Sequence, residues 1–248
     1  MPLAIELKNF IKEYHSKKGI QRAVDGIDLE IYEGEFFGFL GPNGAGKTST
    51  INVLTGLSSH TSGTAKIFGY DVVKDYQTTR RLVGISPQEY NYDPYLNIKE
   101  ILVYQAGYYG IPAKVAKPKA DELLHLFGLS EKSKLEVVKL SGGMKRRLTI
   151  ARALMHEPKI LFLDEPTAGL DAELRVELWE YIRKLNKAGT TIFLTTHYLE
   201  EAEELCNRIG IINHGKILLI DEIKNILKLN GNLEKFYLDM TKTKKENV

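Results

Sequence analysis

Cysteine is almost absent from this sequence: Cys206 is the only one in 248 residues, which excludes a framework of internal disulfide bonds. A lone cysteine suits a reducing compartment, and we expect it to be a small buried apolar side chain. Long apolar runs are missing too, because no stretch approaches the roughly 18 apolar residues of a membrane-spanning helix. The start of the chain lacks the basic-then-apolar layout of a secretory signal, so the sequence predicts a cytoplasmic protein.

An excess of charge of either sign is also lacking, since 34 Lys and Arg residues oppose 32 Asp and Glu residues. Acidic and basic residues interleave along most of the chain, so no basic surface predicts a nucleic-acid partner. With 43% hydrophobic residues, the chain has enough apolar material for the core of one large domain or of one domain with lobes.

The chain opens with three apolar segments that predict strands at 4–7, 26–31 and 36–40. The third is continuously apolar, as expected of a central strand buried on both faces of a parallel sheet. Later elements alternate as βαβ units, which predicts an α/β fold with a mainly parallel sheet. The later elements that we predict are helices at 143–156, 172–188 and 198–207 and strands at 160–163, 190–195, 210–213 and 216–220.

Helical spacing of apolar residues between 97 and 133 interrupts this alternation and predicts an inserted helical lobe, broken at Gly110–Pro112. We expect a single domain over residues 1–230, with a helical subdomain at about 90–158. Residues 231–248 would form a C-terminal extension, and its polar end, from residue 241, is expected to be frayed.

A glycine-rich loop follows the third strand, and it fits the pattern Gly-x-x-x-x-Gly-Lys-Ser/Thr. Glycines let backbone N–H groups close around phosphate oxygens, and the N-terminus of the next helix adds the positive end of its dipole. Lys47 would supply a cation to the β- and γ-phosphates, and the Thr48 hydroxyl would bind Mg²⁺. The alternative is a glycine-rich turn that binds nothing. The predicted nucleotide-binding residues here are Gly41, Pro42, Asn43, Gly44, Ala45, Gly46, Lys47, Thr48 and Ser49.

Two adjacent acids, Asp164 and Glu165, follow the strand predicted at 160–163. Ligands of open α/β sheets bind at the carboxyl ends of the strands, so we expect these acids and the glycine-rich loop to meet there. Asp164 is placed to act on the Mg²⁺ shell, and Glu165 to orient or deprotonate the attacking water. Taken alone, the two acids also suit a solvated turn.

His197 follows the next buried strand and is expected to contact the γ-phosphate at the same edge of the sheet. No other histidine has such a position in the sequence. The remaining histidines are expected to be surface or loop residues: His15, His60, His125, His156 and His214.

A second glycine-containing turn, Leu140–Gly143, precedes a predicted helix. Ser141 suits a helix cap, and the helix N-terminus favours an anion near the two glycines. The alternative is an ordinary cap followed by a solvated basic face. The basic residues of that helix are Lys145, Arg146, Arg147 and Arg152.

Taken in order, these motifs resemble the full motif set of the ATPases of ABC (ATP-binding cassette) transporters. The set consists of Gly41–Thr48, Gln88, Leu140–Gly143, Leu163–Pro166, Ala168–Asp171 and His197. The resemblance extends from about Leu3 to Ile220. It implies a P-loop NTPase of the ABC type, with an antiparallel β subdomain and an inserted helical subdomain, and ATP and Mg²⁺ as ligands.

The resemblance also implies that two copies pair head to tail, with Ser141, Gly142 and Gly143 of one copy closing on ATP in the glycine-rich loop of the other. The further roles that it implies are adenine stacking by Tyr14, sensing of Mg²⁺ and the γ-phosphate by Gln88, a contact across the dimer by Asp171 and general-base catalysis by Glu165.

Met144 follows the two glycines at a position where the commonest members of the family have glutamine. Together with the run Thr195–Ala202, this is similar to the branch that serves ABC-2-type bacterial exporters of drugs, polysaccharides and related compounds. The resemblance therefore implies a subunit that a separate membrane permease holds at the inner face of the cell membrane. The alternatives are a soluble ABC ATPase acting on ribosomes or DNA and a nucleotide-binding regulator that does not hydrolyse ATP.

Overall fold

The computed structural model of the chain describes residues 2–17 and 19–242. Its strands are β1 Leu3–Ser16, β2 Gly19–Tyr32, β3 Phe36–Leu40, β4 Ser62–Ile67, β5 Tyr70–Asp71, β6 Val83–Ser86, β7 Ile160–Asp164, β8 Thr191–Thr196, β9 Arg208–Asn213 and β10 Lys216–Glu222. Its α-helices are α1 Lys47–Leu54, α2 Tyr76–Leu82, α3 Ile98–Tyr108, α4 Ala113–Leu126, α5 Gly142–Ala153, α6 Ala172–Lys187, α7 Leu199–Leu205, α8 Ile223–Asn230 and α9 Leu233–Lys242. None of the described helices is long and apolar enough to cross a membrane.

Two compact units divide the chain: the first comprises Met1–Arg80 and Thr191–Val248, and the second comprises Arg81–Thr190. In the first unit, four neighbouring strands follow the order β10-β9-β3-β8. Strand β3 runs parallel to both β8 and β9, while β10 is antiparallel to β9. Every residue of β3 and β8 is buried, which explains the apolar sequence of β3 and the apolar centre of β8, Ile192–Leu194.

Close packing beside β3 fixes two small residues. A Cβ atom at Gly38 would lie only 2.8 Å from Cys206 Sγ, so a larger residue here would force the Cys206 side chain to move. Cys206 is buried, as the sequence predicts, and burial raises the pKa of its thiol. The lone cysteine therefore packs as an apolar residue.

A second, antiparallel sheet of the first unit has the strand order β2-β1-β4-β5. Strands β1 and β2 extend well beyond the predicted segments at 4–7 and 26–31. Their polar ends pair because Glu13 lies opposite Arg22, whose Nε donates to Glu13 Oε1 at 2.8 Å. Opposite charges that face each other across two strands stabilise the sheet even where the strand sequences show no alternation of apolar and polar residues.

The second unit contains parallel strands β6 and β7 together with helices α3 to α6. The predicted helical segment between 97 and 133 forms α3 and α4, which are separated near Gly110–Pro112 as expected. Parallel strands, an antiparallel sheet and helices together confirm the predicted α/β fold class. The expected C-terminal extension includes α9, and its end from residue 243 lies outside the described residues.

His156 lies in the turn after α5, consistent with the predicted surface or loop position, but its side chain is only partly exposed. Its ring stacks on Tyr109 with centroids 3.7 Å apart and an interplanar angle of 4°. Its Nε2 donates to Val83 O at 2.8 Å. Burial lowers the pKa of His156, although this hydrogen bond partly opposes the shift. A histidine after a helix end gives no signal of this packing in the sequence.

We expect His156 to make the stability of the fold depend on pH. Because its pKa is lower in the folded state, the unfolded state binds more protons as the pH falls below about 6.5. Its contribution to stability is therefore present above that pH and is lost as the pH falls through the lowered pKa. The melting temperature, measured at about pH 8 and about pH 5, should fall less in His156→Gln than in the wild type. His125→Gln, which changes an exposed histidine of α4, is the control and should keep the wild-type pH dependence.

Candidate functional site

The glycine-rich loop links the buried strand β3 to the N-terminus of α1. A Cβ atom at Gly41 would lie 2.3 Å from Ile212 O, and one at Gly46 would lie 2.5 Å from Ala23 O. Gly44 and Gly46 also have positive φ angles of 79° and 113°, which favour glycine. Packing and backbone conformation therefore both explain the glycines, and the loop presents backbone N–H groups at a helix N-terminus.

Lys47, the first residue of α1, is only 5% exposed. Its Nζ donates to Gly41 O at 2.7 Å and to Pro42 O at 3.1 Å. These bonds hold the ammonium group above the loop. Thr48, the next residue, is exposed on the first turn of the helix.

Tyr14 on β1 lies beside the first turn of α1. Its hydroxyl donates to Ser49 Oγ at 3.4 Å, and its ring is 39% exposed. Lys12 Nζ lies 4.6 Å from the centroid of the Tyr14 ring. The structure thus places the predicted aromatic next to the glycine-rich loop, although long polar strands separate them in the sequence.

His197 follows β8 directly. Because Leu40 on β3 pairs with Thr196 on the parallel strand β8, Gly41 and His197 leave the sheet at the same edge. His197 is exposed, and its ring centroid lies 4.1 Å from that of Tyr198. The first unit therefore brings His197, Lys47 and Tyr14 to one region around the loop.

The second unit brings Gln88 and Glu165 together. Gln88 follows β6 and Glu165 follows β7, two parallel strands in which Ser86 pairs with Leu163. Gln88 Nε2 donates to Glu165 Oε2 at 3.1 Å. Asp164 and Glu165 are both buried, so they do not form the solvated turn considered as an alternative. Glu165 has a φ angle of 48°, a conformation that costs a non-glycine residue about 1–3 kcal/mol and that the surrounding structure must hold in place.

Ser141 and Asp171 both cap helices in this unit. Ser141 Oγ accepts from Met144 N at 3.3 Å, and Asp171 Oδ1 accepts from Leu174 N at 3.0 Å. A Cβ atom at Gly143 would lie 2.7 Å from Leu174 Cδ1, so the starts of α5 and α6 pack closely. Ser141 and Gly142 are exposed, whereas most of α5 is buried.

The alternative of a solvated basic face on α5 is wrong for Arg146, which is 2% exposed. Its Nη1 donates to Pro87 O at 2.8 Å and its Nη2 to Gln88 O at 3.0 Å. A planar guanidinium group can bind two carbonyl oxygens at once, which makes its burial possible. The signal in the sequence was spacing: Gly143, Arg146 and Ile150 lie on one helical face, and all three are buried.

Known protein sequences resemble this chain over most of its length. The profile of the family described as "ABC transporter" matches residues 24–168. The linearmycin resistance ATP-binding protein of Bacillus subtilis is 43% identical over 210 residues, which cover 85% of this chain and 67% of that protein. The Nod factor export ATP-binding protein I of Paraburkholderia xenovorans is 42% identical over 213 residues, covering 86% of this chain and 69% of that protein.

The fold of this chain is similar to those of solved ATP-binding cassettes. An ATP-binding subunit of an ABC transporter superposes with a TM-score of 0.85 at 27% identity and covers 96% of this chain and 99% of its own. A dimeric ATP-binding cassette in a post-hydrolysis state, bound to ADP and Pi, superposes with a TM-score of 0.81 at 28% identity. That alignment covers 88% of this chain and 98% of the other.

Proposed function

Because the chain belongs to the ABC transporter family, as one of its ATP-hydrolysing cassettes, we propose that it powers an ABC-2-type exporter with a separate membrane permease. Two relatives with 42% and 43% identity carry names of export and resistance ATP-binding proteins, which supports this branch. Met144 after the two glycines is a second sign of it. No feature of the described residues favours the alternative of an ATPase acting on ribosomes or DNA.

ATP is proposed to bind along the glycine-rich loop. Lys47 would exchange its two backbone carbonyls for β- and γ-phosphate oxygens, an exchange favoured by their higher negative charge. Tyr14 would stack on adenine through the face of its ring, since its hydroxyl is held by Ser49. His197 would contact the γ-phosphate from the end of β8.

Thr48, Gln88 and Asp164 are the proposed Mg²⁺ ligands. They offer hydroxyl, amide and carboxylate oxygens, the donor type that Mg²⁺ prefers. The hydrogen bond from Gln88 Nε2 to Glu165 supports this role, because it uses the amide nitrogen and not the amide oxygen. Bound Mg²⁺ would neutralise charge on the β- and γ-phosphate oxygens.

Glu165 is proposed as the general base that orients and deprotonates the attacking water. Its buried position, its φ angle of 48° and its bond from Gln88 fix the carboxylate in one place. A general base has to lie within hydrogen-bond reach of the proton that it takes, and such fixation keeps it there. Gln88 would hold this carboxylate until ATP and Mg²⁺ arrive.

The catalytic unit is proposed to be a head-to-tail pair of cassettes, each covering residues 1–230 with a helical subdomain at about 90–158. The observation that carries this proposal is the exposed start of α5, where a Cβ atom on Gly142 meets no described atom within 4 Å. Ser141, Gly142 and Gly143 would close there on ATP of the partner cassette, with Asp171 beside them. Hydrolysis would reopen the pair and move the permease. The permease is proposed to contact the exposed Tyr95 and the nearby Tyr90 and Tyr92. This contact would hold the cassette on the inner face of the membrane.

Gly142→Ala tests the paired site. We expect wild-type ATPase activity per molecule to rise with protein concentration. The variant should keep its melting temperature and its ATP affinity, because the monomer has room for the methyl group. A methyl group forced into a packed contact costs about 1–3 kcal/mol, so ATP-driven pairing should weaken about tenfold to a hundredfold and turnover should fall with it.

Gly41→Ala is the matched control, because its Cβ atom would lie 2.3 Å from Ile212 O within the same chain. This variant should instead lower the free energy of unfolding, by about 1–3 kcal/mol. Wild-type activity that does not depend on protein concentration, or normal pairing by Gly142→Ala, would show that the site is not shared between two cassettes.

A further inference from the structure

Arginine side chains of α5 hold the segment that contains Gln88. Arg146 binds the carbonyl oxygens of both Pro87 and Gln88, and Arg152 Nη1 donates to Asn91 O at 2.9 Å. Each guanidinium also lies over a tyrosine of the segment: Arg146 is 5.0 Å from the Tyr90 centroid, and Arg152 is 4.7 Å from that of Tyr92. Cation–π contacts of this kind strengthen as the groups lose water.

The tyrosines of the segment bind back to the helix. Tyr90 Oη donates to Gly142 O at 3.3 Å. Tyr92 Oη donates to Lys145 O at 3.2 Å and also contacts Thr149 Oγ1. Burial raises the pKa of Tyr92 to about 12, so its hydroxyl keeps its proton and remains a donor at physiological pH. Segment 87–92 and α5 are therefore tied together from both sides.

We infer that Arg146 is a positioning residue for ATP hydrolysis, which holds the backbone at Gln88 so that the Gln88 amide meets the Glu165 carboxylate. This inference rests on the proposed roles of Gln88 and Glu165. Arg146 follows closely after the exposed Gly142 that is proposed to meet the partner cassette. It therefore links the start of α5, the Gln88 backbone and the catalytic carboxylate in one chain of contacts.

The chemistry of arginine explains why this position needs its particular side chain. The two terminal nitrogens of the fork satisfy two carbonyl oxygens in a buried place, and lysine offers a single ammonium group instead. A lysine at this position would carry all its N–H donors on one nitrogen, which cannot occupy both the Nη1 and the Nη2 position, so the Gln88 backbone would shift and the amide would move with it. A displacement of about 1 Å from the productive geometry can cost about a hundredfold in rate.

Steady-state kinetics on the full chain test the inference with Arg146→Lys. We expect kcat to fall by about tenfold to a hundredfold, while KM for ATP stays within about threefold. Arg147→Lys is the matched control, because Arg147 is the next residue of α5 and also donates to a backbone carbonyl, Phe127 O at 3.2 Å. It should keep wild-type kcat, even though its melting temperature falls by a similar amount.

A double-mutant cycle with Gln88→Ala separates positioning from a general structural effect. If Arg146 acts through Gln88, then Arg146→Lys should cause no further loss of kcat in the Gln88→Ala background. A full further loss there would overturn the inference while leaving the role of Gln88 intact. If Gln88→Ala itself keeps wild-type kcat, the proposed function of Gln88 fails instead.

Tyr90→Phe provides a second variant that keeps the ring over Arg146 and removes only the bond to Gly142 O. We expect a smaller loss of kcat, of about two- to fivefold, again absent in the Gln88→Ala background. A loss of equal size in both backgrounds would contradict the link between the start of α5 and Gln88.

Discussion

Replacing Glu165 by glutamine should lower ATP turnover by about 10²- to 10⁴-fold, the range expected when a general base is removed. ATP affinity should remain, because the variant keeps the size of the side chain and an oxygen that can accept from Gln88 Nε2. Since pairing of the cassettes is proposed to need ATP and reopening to need hydrolysis, the variant should accumulate as a dimer when ATP is added. Phosphate release and gel filtration with and without ATP measure the two effects.

Glu173→Gln is a suitable control for this experiment. Glu173 is an exposed acid in the first turn of α6, and its substitution removes the same charge without touching Glu165. This control should hydrolyse ATP at the wild-type rate. Wild-type turnover in Glu165→Gln would remove Glu165 from the role of general base.

Lys47→Ala should weaken ATP binding more than any other substitution in the glycine-rich loop. The ammonium group is almost fully buried and donates to a backbone carbonyl of the loop, so the substitution removes a buried cation from the proposed phosphate site. Truncating one partner of a buried charge pair costs about 2–5 kcal/mol, which corresponds to a loss of affinity of about thirtyfold or more. Fluorescence titration with an ATP analogue measures the dissociation constant.

The control for Lys47→Ala is Lys74→Ala, at an exposed position of the same unit. It should bind nucleotide as the wild type does. Unchanged affinity in Lys47→Ala would mean that the loop does not hold the phosphates, and the proposed ATP site would have to be sought elsewhere.

Buried strands were the easiest part of the fold to predict. The strand predicted at 36–40 matches β3, and those predicted at 160–163 and 190–195 match β7 and β8 within one residue at each end. Strands covered on both faces need continuous apolar sequence, so their limits are visible in the sequence itself. The ends of β1 and β2 were missed because a cross-strand ion pair, such as that of Glu13 with Arg22, leaves no apolar pattern.

The candidate site was predicted as a set of residues, but its contacts were not. Gly41–Thr48 and Glu165 stand out because their chemistry depends on local sequence. The interaction of Arg146 with the carbonyl oxygens of Pro87 and Gln88 depends on backbone atoms almost 60 positions away, which every sequence offers equally. The stacking of His156 on Tyr109 could not be predicted either, because it joins two rings that are distant in the sequence and meet only in the fold.

The burial of Cys206 against Gly38 has a practical consequence for labelling chemistry. Thiol reagents attack the thiolate form, and a buried thiol with a raised pKa is neither accessible nor deprotonated at neutral pH. The native chain should therefore not react with maleimides or with bifunctional thiol cross-linkers. A single cysteine introduced at an exposed position such as Ser141 would then be the only thiol that reacts with the label. The distance between the labels of two cassettes could be followed through the ATP cycle without first removing the natural thiol.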